Sequence, residues 1–202
     1  MRISFYFDPI CPWCWVTARW LISVREQRPI EVDWRPFSLA IKNQDLDHPE
    51  RWKRIEQEGL RALRMVESVR AAGQPGAVEK LYVEMAKRRH HDRAPEFNLE
   101  EIAAASGVDA TMAQTADDPA WDQPIEQAMA RVLEVMGEDI GVPAIVFEGE
   151  DPVGFHGPII SSVPSGDGGL RLFDAFVALA ETPGFYEIKR GRDARPDPGP
   201  RP

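Results

Sequence analysis

The sequence predicts an α/β fold in which a sheet is interrupted by a large all-helical insertion. Three observations predict it. Residues 1–40 alternate strand, helix and strand character. Residues 41–137 carry helical signals with no strand among them. Strand character then returns at 141–151, ahead of a last helix. No internal repeat is visible, and 202 residues fit one domain with an insertion. The expected organisation is a discontinuous domain of residues 1–40 and 138–190, a helical insertion at 41–137, and a tail at 191–202.

The elements follow in order. "RISFYF", residues 2–7, is rich in β-branched and aromatic types and suits a strand buried on both faces. Asp8-Pro9 ends it. Pro12 sits where a helix can begin, because the first turn tolerates a missing N–H. Trp13, Val16, Trp20, Leu21 and Val24 then fall at helical spacing until Pro29 stops the helix. Ile30, Val32 and Trp34 alternate with Glu31, Asp33 and Arg35, which reads as a second strand. Strand, helix and strand make a βαβ unit with a parallel pair.

Within the helical block, residues 49–72 place Trp52, Ile55, Leu63, Val66 and Val69 on one face and stop at Gly73. Residues 76–90 give a second helix. Leu99 to Ser106 gives a third, stopped by Gly107. Asp109 to Thr115 suggests a short fourth, and 119–137 a fifth that ends at Gly137. "GVPAIVFEGED", residues 141–151, has strand character with a turn at its end. Residues 152–156 suit a further short strand, and 168–181 a final helix. The Arg-, Asp- and Pro-rich tail has the composition of a disordered segment.

Charge and length exclude several functions. The net charge is −9 and the pI near 5.0, whereas a nucleic-acid footprint is basic. No apolar run approaches the length of a bilayer span. "MRISFYFDP" has one Arg and no small-residue cleavage site, so it reads as a buried strand rather than a signal peptide. The expected compartment is the cytoplasm, where thiols stay reduced and a structural disulfide is not expected. Two neighbouring cysteines there point to redox or metal work.

Cys11 and Cys14 form a C-x-x-C between the first strand and the helix that follows. That spacing puts Cys11 at the helix N-terminus, where unpaired N–H groups and the macrodipole favour a thiolate. Cys14 lies one turn on, more enclosed and within reach of Cys11. One thiol can attack and the other can resolve a mixed disulfide. Pro12 stiffens the turn, and Trp13 offers a flat apolar surface beside the sulfur. Two other readings stand next to this one. The pair could be packed core cysteines, or half of a zinc site completed by His48, His90, His91 or His156, since no third cysteine exists. A second signal is Val142-Pro143 at the head of a strand. Proline is tolerated there at a first position or in a cis turn. Facing Cys11, it would leave the Val142 backbone free to pair with an extended substrate. Asp8, three residues before Cys11, either caps or ends the strand, and would raise the Cys11 pKa if close. His156, in a Gly/Pro turn, reads as a turn residue.

Strand, CPWC, helix and a distant G-V-P-x-I-x-F resemble the thioredoxin superfamily, and the helical block resembles its DsbA-like branch. "FDPICPWCWVTARW", "FHGPIISSVP" and "TPGFYEIKR" resemble the actinobacterial mycothiol-dependent reductases, also called mycothiol-dependent nitroreductases, over most of residues 3–190. The resemblance implies a cytosolic thiol–disulfide oxidoreductase. It holds no tightly bound cofactor. Mycothiol or another low-molecular-weight thiol supplies electrons, and small molecules or disulfides are the substrates. It implies Cys11 as nucleophile, Cys14 as resolving thiol and Trp13 as a wall of the cleft. His91 is the matching histidine of the insertion, and Asn43 follows the second strand. The buried acid that thioredoxin keeps six residues before its first cysteine has no counterpart, because Phe5 stands there. DsbA-like isomerases and kappa-type transferases share the insertion, but typically carry serine in place of Cys11. A redox sensor or zinc module is the remaining alternative.

Overall fold

The computed structural model describes residues 1–202. A four-stranded sheet has the order β2-β1-β3-β4. β1 (Arg2–Phe7) runs parallel to β2 (Glu31–Pro36) and antiparallel to β3 (Ala144–Phe147), which pairs antiparallel with β4 (Val153–His156). The sheet joins two stretches of chain more than a hundred residues apart, as expected for a split α/β domain.

Strand alternation sorts the side chains by face. Ile3, Phe5 and Phe7 are fully buried on one face. Phe5 and Phe7 meet Trp34 and Tyr82 edge-on or tilted, with centroids 4.1–6.4 Å apart. Phe147 and Phe155 continue that face and pack on Phe176 of α7 (Gly166–Ala180). α1 (Pro12–Arg25) lies against α7 through Trp20, which stacks near Phe173 and donates its indole N–H to the Gly169 carbonyl at 2.9 Å. A buried tryptophan of this size removes roughly 150–250 Å² from water. On the opposite face, Gly154 leaves room for Met136 of α6 (Asp122–Met136). A Cβ there would approach the Met136 side chain to 2.6 Å.

The insertion is helical throughout. It runs from α2 (Leu39–Lys42) through α3 (Glu50–Ala71), α4 (Val78–His90) and α5 (Leu99–Ala105) to α6. The short α2 has no periodicity to betray it, and its capping Ser38 accepts from Ile41 N at 3.3 Å. Residues 110–117 and 119–121 form 3₁₀ turns instead of helical starts. Asp109 and Asp118 take the N–H groups of Thr111 and Ala120 (each 2.9 Å), which tightens each turn before α6 begins. Trp52 does not join the core: it is 48% exposed beneath Arg51, because burial of α3 begins a turn later, at Ile55 and Glu56.

The tail, read from composition as disordered, makes specific contacts. Asp197 N donates to the Ser161 carbonyl at 2.7 Å. Arg19 of α1 donates to the carbonyls of Pro198 and Pro200. Arg201 forks onto Asp92 at 2.7 and 3.0 Å. No helix is long and apolar enough to cross a membrane.

Candidate active site

Cys11 is the N-cap of α1, with extended backbone (φ −81°, ψ 114°) and Pro12 at the first helical position. The missing proline N–H costs nothing there, and the sulfur stands at the positive end of the helix dipole. Cys11 keeps 6% of its surface exposed and Cys14 none. Both are free thiols. Their environments drive them apart. A hydrogen bond from the Cys14 thiol holds the Cys11 pKa below the ordinary thiol range, against the opposing effect of burial. Burial, and the neighbouring Cys11 sulfur, push Cys14 well up. One sulfur is thus predisposed to be thiolate and its partner to be thiol.

Val142 and Pro143 arrive from the start of β3. Their peptide bond is cis, and the Cys11 thiol donates to the Val142 carbonyl at 3.6 Å. The three residues of this small constellation come from two stretches of chain, 131 residues apart at Cys11 and Val142, that the sheet brings together. Trp13 is half-exposed in the same turn. The Arg192 guanidinium lies over its ring, 5.4 Å from the centroid.

His91 and Asn43 are held elsewhere. His91 Nε2 accepts from the Trp15 indole at 2.8 Å, so its ring is neutral on that side, and burial lowers its pKa. It makes no hydrogen bond to either sulfur. Asn43 donates to the buried Glu56 carboxylate at 2.7 Å and ties the loop after α2 to α3. His90, not His91, touches the loop before Cys11: its Nε2–H donates to the Pro9 carbonyl at 3.0 Å. Burial lowers its pKa to about 4, so it is a neutral brace.

The residue whose importance the sequence understated is Asp8. Its side chain is fully buried and accepts backbone N–H groups of Leu39 (2.8 Å) and Ile10 (3.1 Å). Burial raises it to about 7 despite those two bonds. Its charge also raises both thiols. Phe5 is a core residue of β1, and a buried acid stands three residues later, in the loop that leads into Cys11. The available signal was a lone aspartate closing an apolar strand just before C-x-x-C. No group of three or more His, Cys, Asp or Glu side chains is placed to hold a metal ion.

With this geometry in place, known proteins give the family. The family model described as the Rv2466c-like mycothiol-dependent nitroreductases matches residues 10–190. The protein Rv2286c of Mycobacterium tuberculosis is 27% identical over 195 residues, 93% of this chain and 81% of that protein. Among solved structures, the cytosolic disulfide reductase DsbM from Pseudomonas aeruginosa with GSH superposes with a TM-score of 0.59. It is 16% identical and covers 89% of this chain and 100% of its own. A 2-hydroxychromene-2-carboxylate isomerase reaches 0.60 at 16% identity, with 90% and 95% covered. At such identities the two structures speak to the fold alone, which is the DsbA-like thioredoxin fold. Taken with the family match over most of its length, the chain belongs to the Rv2466c-like mycothiol-dependent nitroreductase family and is a thiol–disulfide oxidoreductase.

Proposed function

We propose that the chain is a cytoplasmic dithiol reductase in which Cys11 attacks, Cys14 resolves, and a low-molecular-weight thiol, mycothiol by family, restores both. The observation that supports this best is the opposed setting of the two sulfurs. Cys11 stands at the tip of α1 under the Val142 carbonyl, with a lowered pKa. Cys14 is sealed behind it with a raised one.

The steps balance as two-electron exchange. The Cys11 thiolate attacks a substrate disulfide, forms a mixed disulfide and expels one thiolate. Cys14 then gives up its proton and attacks Cys11 Sγ. The second substrate thiolate leaves, and a Cys11–Cys14 disulfide remains. Asp8 suits the role of proton acceptor, being buried, raised to about 7 and electrostatically felt by both thiols. Two molecules of donor thiol then reduce the protein disulfide and depart as the oxidised donor. For a nitro-aromatic acceptor, the same two electrons and two protons carry a nitro group to nitroso and water. Trp13, Val142 and Pro143 form the walls against which an extended substrate lies, with Pro12 stiffening the turn. Asn43 and His91 act at one remove, through Glu56 and Trp15.

The test offers mycothiol, glutathione or thioredoxin with its reductase to oxidised protein, and follows reappearance of the Cys11 and Cys14 thiols by mass. Mycothiol is expected to reduce the pair. Reduction by thioredoxin alone would sink the donor assignment. Full activity in a Cys11→Ser variant would sink the dithiol mechanism and favour an isomerase or transferase.

A further inference from the structure

The C-terminal arm brings an unpaired cation to the cleft. Its far end is fastened by Arg19 to the Pro198 and Pro200 carbonyls, by Asp197 to Ser161, and by Arg201 to Asp92. Between Phe185 and these fastenings, the chain brings Arg192 over the Trp13 ring, 5.4 Å from its centroid. Arg192 forms no salt bridge, although the chain carries a net charge of −9. In so acidic a protein, a guanidinium held over the indole of the C-x-x-C turn with no carboxylate partner needs a reason.

His156 marks the inner edge of this region. It ends β4 opposite Ala144, and its Nε2 lies 3.8 Å from where a Cβ on Gly141 would be, next to the loop that presents Val142 to Cys11. The charges of Arg192 and Lys189 both reach it, opposed by those of Glu187 and Asp139. The Cys11 turn is thus flanked by Trp13, by the Gly141–Pro143 loop and by the Arg192 guanidinium. A guanidinium stacked on an indole keeps its N–H edge free, and that edge forks onto a carboxylate or other planar anion.

We propose that Arg192 is the anion-recognising wall of the Cys11 cleft, and that the preferred oxidised substrate carries a carboxylate or similar anionic group close to its reactive bond. This rests on the reading of Cys11 as nucleophile and concerns the oxidant, not the donor thiol.

The test uses the reduced full chain and its Arg192→Gln and Arg192→Glu variants. Two disulfide probes are offered in stopped flow: anionic 5,5′-dithiobis(2-nitrobenzoate) and neutral 2,2′-dithiodipyridine. The readout is the ratio of their rate constants, anionic over neutral. Relative to the parent chain, the ratio is expected to fall about threefold in Arg192→Gln and about tenfold in Arg192→Glu at low ionic strength. The difference should shrink at high salt, because the site is exposed and screened. An unchanged ratio overturns the proposal, including the case where both probes speed up together because the arm merely covers Trp13. Failure of the parent chain to react with the neutral probe would instead overturn the nucleophile reading itself.

Discussion

Gly59 of α3 crosses directly over Asp8: a methyl group at Gly59 would lie 2.6 Å from Asp8 Oδ1 and 3.1 Å from Ile10. The helix of the insertion therefore seals the buried acid by backbone contact. Asp8 cannot swing aside without losing the Leu39 and Ile10 N–H groups. Gly59→Ala is expected to destabilise the fold by about 1–3 kcal/mol, as overpacking does, despite alanine's better helix propensity. It should also slow resolution of the mixed disulfide, because Asp8 is displaced. Urea unfolding and a single-turnover chase of the mixed disulfide would read the two effects separately. A stabilised variant with normal resolution would show that the contact does not matter.

The pH dependence of stability holds two opposed contributions from neighbouring groups. Asp8 titrates near 7 when folded and near 4 when unfolded, so the folded state binds the extra proton in that window. Its contribution is fully present below about 4 and is lost as pH rises towards 7. His90 titrates near 4 when folded and near 6.5 when unfolded. Its contribution is fully present above about 6.5 and is lost as pH falls towards 4. Each spans roughly 2–4 kcal/mol, so the parent chain should show a shallow profile between pH 4 and 7. Asp8→Asn leaves the histidine, and stability should then rise with pH across the window. His90→Gln leaves the aspartate, and stability should fall. Equilibrium unfolding at four or five pH values checks the two slopes, and parallel slopes in both variants would refute the assignment.

Much of the fold could be read from local patterns. The 2–7 run, the proline at the head of α1 and the alternation at 31–35 each state their element plainly, because burial, capping and pleat act on adjacent residues. What failed to show were features made by distant chain. Asp8 looked like a strand terminator, since nothing local reveals that Gly59 and Leu39 close over it. His90 and His91 are indistinguishable in sequence, and only the rotation of the last turn of α4 sends one ring to Pro9 and the other to Trp15. The tail has a disordered composition, yet its proline carbonyls are acceptors for Arg19, a pairing no window of sequence can register. Cys11 and Cys14 stand out because C-x-x-C is a local pattern, whereas their meeting with Val142 is made by the pairing of β1 with β3.

The lowered pKa of Cys11 depends first on the hydrogen bond from Cys14. Cys14→Ala removes that donor and leaves the helix N-terminus and the burial in place. Alkylation of Cys11 by iodoacetamide should then follow a pH profile with a midpoint displaced upward, and should slow severalfold near neutral pH, since the thiolate is the reacting form. If the midpoint stays where it is, the helix terminus rather than the neighbouring thiol sets the acidity.

Tyr82 gives a sharper check on the interior behind the cysteines. Its hydroxyl is buried without a hydrogen-bond partner, and burial raises its pKa far up. The ring itself is well used, packed 4.1 Å from Phe7 and 6.0 Å from Trp15, centroid to centroid. An unpaired buried hydroxyl costs about 1–3 kcal/mol of desolvation, while the ring contacts survive in phenylalanine. Tyr82→Phe is therefore expected to raise stability by about 1 kcal/mol in urea unfolding with an unchanged m-value. A loss of similar size would mean that the hydroxyl is hydrogen-bonded in solution. The groups whose charges reach it are Cys14, Cys11 and Asp8, so such a loss would tie Tyr82 to the redox centre.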